Sequence, residues 1–314
     1  MKTVRLGQTD LTVSKLCFGV LTIGPLQENF AVSDGADLLA YGMSRGITFF
    51  DTAEAYGTYP HLREAIRDFG KRPVIATKSY AYTETMMKQS LERALDELAL
   101  PFIDLFMLHE QESVHTLRGH SPALDYLVQA KERGLVRAVG LSTHTVAGVL
   151  AGADDPRIEV IHPLFNEAGM GILDGSAQTM AAAIYSAYRQ GKGIYGMKAL
   201  GGGNLIQRAY PSLQFVLQHP AIASVAMGMK TRAEIDLNIA WIKGKRDEAL
   251  EREVGSVRRR LHIEGWCSGC GVCAEHCRSG ALSVSSGIAQ VDQEHCVLCG
   301  YCGAYCPDFC IKMI

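Results

Sequence analysis

Eight of the ten cysteines of this 314-residue chain lie between positions 267 and 306, as Cys267, Cys270, Cys273, Cys277 and again as Cys296, Cys299, Cys302, Cys306. Both runs read C-x2-C-x2-C-x3-C. Three thiolates of one tight loop at that spacing can take three corners of an iron-sulfur cube, while the fourth reaches the neighbouring cube. The sets expected are Cys267, Cys270, Cys273 and Cys306 for one 4Fe-4S cluster, and Cys277, Cys296, Cys299 and Cys302 for the other. Zinc would take four ligands from paired C-x2-C units and leave the third cysteine of each run idle. Disulfides need an oxidising compartment, and the opening MKTVRLGQTD has no apolar stretch or cleavage signal behind its basic residues. The tail therefore reads as an electron-transfer module, and the chain as cytoplasmic. Cys17, in an apolar run, and Cys310 are expected to be buried small hydrophobes rather than ligands.

A second group of reactive types lies far upstream. GITFFDTAEAYG carries Asp51 and Tyr56, VIATK ends on Lys78, and DLFMLH ends on His109. Singly, Asp51 could cap a helix, Lys78 could be a rim charge and His109 a core histidine. Together they can move a proton: a lysine held by a buried aspartate would lower the pKa of a tyrosine, which then gives or takes the proton. A facing histidine could hold a substrate carbonyl.

Such a set needs a scaffold that brings strand ends together. Apolar, β-branched runs at 14–20, 47–52, 73–78, 104–109, 136–142, 158–164, 193–199 and 223–228 alternate with helical periodicity near 32–45, 61–69, 83–99, 122–133, 145–151, 176–190, 208–218 and 231–243. Eight strand-helix units predict an α/β fold, a (β/α)8 TIM barrel, whose active sites form at the carboxyl ends of the strands. Asp51, Lys78 and His109 fall at three such ends, with Tyr56 just beyond. The charged stretch 245–262 predicts a connecting helix, roughly 27 Å long if continuous, able to return the chain to the catalytic rim. The organisation expected is a barrel over 1–244, a linker over 245–262 and a small α+β iron-sulfur domain over 263–314.

LGQTDLTVSKLCFGV, FFDTAEAYG, VIATKS and DLFMLH resemble the aldo-keto reductases in order and spacing across residues 1–240. The resemblance implies that Asp51, Tyr56, Lys78 and His109 form the catalytic tetrad of that family, and that NADP(H) lies extended across the barrel mouth. It places Ser142 and Asn166 at the nicotinamide end, Gly201, Gly202 and Gly203 against the pyrophosphate, and Lys230 and Arg232 at a 2′-phosphate. Departures are Met197 where an aromatic ring is common, Lys198 where a small polar residue is frequent, Thr143 for an asparagine, and the absence of the usual closing loop. The tail in turn resembles bacterial two-cluster ferredoxins, Pro307 following the second run as it does there and Arg278 standing in for the first run's proline.

Composition narrows the partners. A net charge of −2 with mixed signs offers no face for nucleic acid, and no apolar run reaches the length of a membrane span. No flavin signature is present. A nicotinamide passes a hydride whereas a cluster passes single electrons. The leading expectation is an oxidoreductase for a small carbonyl or alcohol substrate, NADP(H)-linked, whose clusters exchange electrons with a protein partner. The alternatives are a ferredoxin-type reductase using the tetrad for protons without nicotinamide, and a redox-sensing module on a relic barrel. For an electron-linked enzyme the tail is expected near the barrel mouth, one cluster facing Tyr56 and the other facing solvent.

Overall fold

A computed structural model describes residues 1–314. A hairpin of β1 (Thr3–Arg5) and β2 (Thr12–Ser14) precedes an alternation of β3 (Leu16–Gly19), α1 (Val32–Ser44), β4 (Phe49–Asp51), α2 (Tyr59–Phe69), β5 (Val74–Ser79), α3 (Glu84–Leu98) and β6 (Ile103–Leu108). It continues through α4 (Val114–Gly119), α5 (Ser121–Glu132), β7 (Val136–Thr143), α6 (Val146–Asp154), β8 (Val160–Pro163), α7 (Ala177–Arg189), β9 (Gly193–Gly196), α8 (Ala209–Gln218), β10 (Ser224–Gly228) and α9 (Arg232–Ile242). Strands β3 to β10 close a parallel barrel, sealed by β10 pairing with β3 from Val225↔Leu16 to Gly228↔Gly19. The eight strands sit where the alternation predicts them.

Each strand is apolar because the barrel buries it on both faces. All six residues of β6, IDLFML, are buried. Helices show one stripe instead: α3 buries Met87, Ser90, Leu91, Ala94 and Leu98, and starts where the Thr83 side chain accepts the Met86 N–H. Between strands and helices lies a core of 55 buried residues. A second cluster fills the barrel interior, with Leu6, Leu11 and Val13 of the hairpin beside Cys17, Phe49, Met107 and Tyr195. The hairpin thus plugs the end of the barrel away from the site. It approaches so closely that a Cβ on Gly7 would lie 2.2 Å from the Gly193 nitrogen.

The tail follows as α10 (Glu248–Gly255), β11 (Leu261–Ile263), α11 (Val272–Glu275), β12 (Leu282–Ser285), β13 (Ile288–Val291), α12 (Tyr301–Tyr305) and β14 (Ile311–Met313). The connecting helix expected over 245–262 is shorter: α10 starts at an Asp247 cap and ends at Gly255, and Leu261–Ile263 instead pair antiparallel with Ile311–Met313. Extended pairing with the chain's last strand wins over local helical periodicity. The two cysteine runs repeat one local structure, each with a short helix after a left-handed glycine, Gly271 at φ 82° and Gly300 at φ 80°.

Candidate active site

The tail lies over the open end of the barrel. Backbone N–H of Met313 donates to Gly202 O at 3.0 Å, and Asn204 Nδ2 donates to Ile311 O at 3.1 Å. One cavity of about 770 Å3 results. Asp51, Tyr56, Lys78 and His109 line it from the barrel, and Glu264, Trp266, Phe309 and Lys312 line it from the tail.

The four sequence-predicted residues are brought together by adjacent strands. Lys78, 1% exposed, donates to Asp51 Oδ1 at 2.7 Å and to Thr52 O at 2.6 Å. Such a buried ammonium is tolerable because it is both paired and hydrogen-bonded. Tyr56 ends a 3-10 turn closed by left-handed Gly57. Glu54 anchors that turn by accepting from Ser79 and Ser90 hydroxyls at 2.7 and 2.8 Å. The Lys78 ammonium stands 5.1 Å from the Tyr56 ring centre, and the Tyr56 and His109 rings are 5.8 Å apart, edge to face.

Electrostatics correct one expectation. Charge alone would have Lys78 acidify Tyr56, but the Tyr56 pKa is raised well above the ordinary tyrosine value, by burial first and then by Asp51, Glu110 and Tyr80. The phenol therefore keeps its proton. His109 is pushed well below the usual histidine value, by burial first and then by Lys78 and Lys198, so it is a neutral imidazole. Its ring packs on Tyr80 at 4.2 Å, and its buried Nδ1 has no hydrogen-bond partner.

Two further side chains complete the network. Tyr195 donates its hydroxyl to Asp51 Oδ2 at 2.7 Å, so both carboxylate oxygens are held. His162 stacks on Tyr195 at 3.8 Å, its Nε2 lies 3.8 Å from Asp51 Oδ2, and burial lowers its pKa to about 4. The signal available for them was position alone: GIYG and VIHP are barrel strands, and alternate strand residues point inward.

The residues assigned to the nucleotide are placed differently. Ser142 Oγ accepts the Glu110 N–H at 2.9 Å and so fixes the turn after His109. Asn166 spends its amide on backbone, donating to Met170 O at 2.9 Å and accepting from Met170 N at 3.0 Å. Both are fully buried. Tail atoms cover two of the three glycines: a Cβ on Gly202 would lie 2.7 Å from Lys312 Cδ, and one on Gly203 2.2 Å from Met313 O. Gly201 faces Met170 and Leu205. Lys230 pairs with Glu28 at 2.9 Å and lines the same cavity, while Arg232 lies over the Tyr41 ring at 5.0 Å.

Burial raises the pKa of Cys273 and of Cys302, the latter to about 12, and neighbouring thiols add to it: Cys306, Cys267 and Cys270 for the first, Cys296, Cys299 and Cys273 for the second. Cys267 Sγ accepts from the Gly269 and Ala289 N–H groups, each at 3.4 Å. No three of these groups converge closely enough for a single metal ion. Cys17 and Cys310 are buried as expected, but Cys310 Sγ also lies 3.4 Å from Cys306 Sγ.

No helix is long and apolar enough to cross a membrane. The Aldo/keto reductase family pattern matches residues 15–212. L-galactose dehydrogenase of Arabidopsis thaliana is 22% identical over 79% of this chain and 90% of its own length. A relative from Glycine max is 29% identical but spans only 58% of its own length, or 55% of this chain. A 47-residue stretch is 43% identical to one component of the ion-translocating oxidoreductase complex of Methanosarcina acetivorans, covering 15% of this chain and 18% of that protein. Aldo-keto reductase AKR11C1 from Bacillus halodurans has the same barrel, with a TM-score of 0.66 and 19% identity over 81% of this chain and 94% of that structure. The barrel that carries Asp51, Tyr56, Lys78 and His109 beneath the tail thus follows one established pattern, and the chain belongs to the aldo/keto reductase family.

Proposed function

We propose that the barrel interconverts a carbonyl compound and its alcohol with Asp51, Tyr56, Lys78 and His109 as its chemical groups, and that NADP(H) and two 4Fe-4S clusters serve it. The observation that carries this is the Lys78–Asp51 pair at 2.7 Å beneath a half-buried Tyr56, with a neutral His109 on the same cavity wall. Tyr56 holds the proton that a new alkoxide needs, and His109 offers an N–H to the carbonyl oxygen before and during its change of charge. Lys78 keeps positive charge near the phenol, and Asp51, gripped by Lys78 and Tyr195, fixes where that charge sits.

NADP(H), when bound, supplies or accepts the hydride at the carbonyl carbon. Lys230 and Arg232 would be the cations for its 2′-phosphate and Gly202 and Gly203, which line the cavity, would face its pyrophosphate, while Ser142 and Asn166 already hold backbone groups of the protein itself. Cys267, Cys270, Cys273 and Cys306 would hold one cluster and Cys277, Cys296, Cys299 and Cys302 the other, each passing single electrons to a protein partner. The division at 1–244, 245–262 and 263–314 and a cytoplasmic setting belong to the same reading. The name of the Methanosarcina relative supports an electron-transfer role for the matching stretch.

The tail's cover over Gly202 and Gly203 favours a second reading, in which clusters deliver two electrons singly and Tyr56 relays protons, without nicotinamide. Calorimetric titration of the anaerobic, cluster-loaded protein with NADPH and NADH separates them. Tighter binding of NADPH, weakened by Lys230→Ala, is expected; no binding of either nucleotide, with substrate turnover driven by a reduced electron carrier, establishes the second reading instead.

A further inference from the structure

Two lysines face the mouth cavity from opposite bodies. Lys198 comes from the loop after β9, and Lys312 from β14 of the tail. Both contact the same Phe309 ring, their ammonium nitrogens 5.1 and 3.2 Å from its centre. Neither has a carboxylate oxygen within 4.0 Å. The nearby acids are committed elsewhere: Glu110 accepts from the Tyr80 hydroxyl at 2.6 Å, and Glu264 lies 3.3 Å from His262 Nε2. The Lys198 ammonium hydrogen-bonds to His144 Nε2 at 3.0 Å, and Lys312 donates to Phe309 O.

A lysine in a largely buried site, with no carboxylate in contact, loses the hydration that its charged form needs. Burial accordingly lowers Lys198 to about 8 and Lys312 to about 6. Lys198 also sits at φ 57°, a left-handed conformation costly for a residue with a side chain. An anion in the cavity would favour the charged form of both lysines. His144, between Lys198 and Glu110 Oε1 at 3.8 Å, connects this cationic end to the turn that carries His109. The cations and the proton-transfer set thus line the same cavity.

We infer that the substrate is an oxo acid or hydroxy acid, its carboxylate held between Lys198 and Lys312 while its carbonyl or alcohol carbon lies at Tyr56 and His109. This rests on the carbonyl chemistry proposed above and adds the substrate class. A carboxylate is favoured over the pyrophosphate of a nucleotide because Lys312 and Met313 themselves occupy the space above Gly202 and Gly203. The tail is then a wall of the substrate site as well as an electron carrier.

The test uses the full-length, cluster-loaded protein under anaerobic conditions, with calorimetry of oxamate, its neutral analogue oxamide, inorganic pyrophosphate and NADPH. Oxamate is expected to bind and oxamide not. Lys198→Met and Lys312→Met should each weaken oxamate about tenfold to hundredfold, the loss of one charge-assisted contact. Lys198→Arg and Lys312→Arg should retain it, which also controls for folding. NADPH affinity should be unchanged in all four. The inference is overturned if oxamate does not bind, if the methionine variants bind it normally, or if pyrophosphate and NADPH weaken while oxamate is unaffected. Should Tyr56→Phe keep full turnover while the methionine variants lose oxamate, the carbonyl chemistry fails and the carboxylate site stands.

Discussion

A phenol that grips its proton more tightly than usual is a stored acid, and Tyr56 has that character because burial and neighbouring acids outweigh Lys78. The sign has a kinetic consequence. Reduction needs the protonated phenol, and a raised pKa keeps that form present as pH climbs through about 10, the ordinary tyrosine value. Carbonyl reduction should therefore show no alkaline loss assignable to Tyr56 up to about that pH, as a kcat profile would reveal; a fall beginning well below it would contradict the raised pKa. Tyr56→Phe should lower kcat by about a hundredfold or more with little change in melting temperature, since it deletes the proton and almost no packing. Tyr195→Phe frees one oxygen of Asp51 and should cost roughly tenfold in kcat, measurable beside unchanged nucleotide affinity. Asp51, Lys78 and His109 are legible in the sequence because each ends an apolar strand. Tyr195 is not, because its bond to Asp51 joins positions 144 apart and leaves no local pattern. The backbone bonds of Ser142 and Asn166 are hidden for a related reason: a polar residue at a strand end suits a ligand and a backbone turn equally, and their contacts with Glu110 and Met170 appear only in the fold.

Elements are easier to read than their junctions. Eight buried parallel strands leave continuous apolar runs, so their number and order follow from composition, whereas α4 is a six-residue helix too short to show periodicity. The linker misleads because its charge pattern favours helix while strand pairing with residues 311–313 is a long-range choice. One side chain binds the loop after β9 to the tail: Asn204, 6% exposed, donates to Gly201 O at 2.8 Å and Ile311 O at 3.1 Å. Asn204→Ala should destabilise the tail's attachment by about 1–3 kcal/mol. Amides of β11 and β14 would then exchange faster while those of β6 keep their protection; equal protection in the variant would mean that the apolar contact with Met313 suffices.

At the scale of the whole chain, the tail has little core of its own. Its buried cluster is eight residues, of which Cys273, Cys302 and Cys310 are three. With the two proposed clusters bound, a unit this small would depend on them for folding energy. Stripping iron anaerobically with a chelator should therefore melt β11–β14, seen as lost amide protection and a lower first thermal transition, while the barrel's own transition remains. The proposed cysteine sets rest on local spacing, whereas the joint wall built by Phe309, Lys312 and Met313 arises only from packing and leaves no pattern in the sequence. The amino-terminal hairpin has its own consequence. With Leu6, Leu11 and Val13 packed into the far end of the barrel, the cavity is stopped on that side, and its door lies where the tail narrows the mouth. Whatever enters first lies deepest and must leave last, so two ligands cannot trade places at random. Product-inhibition patterns should be those of a compulsory order, and slow departure through that door would set the pace of turnover.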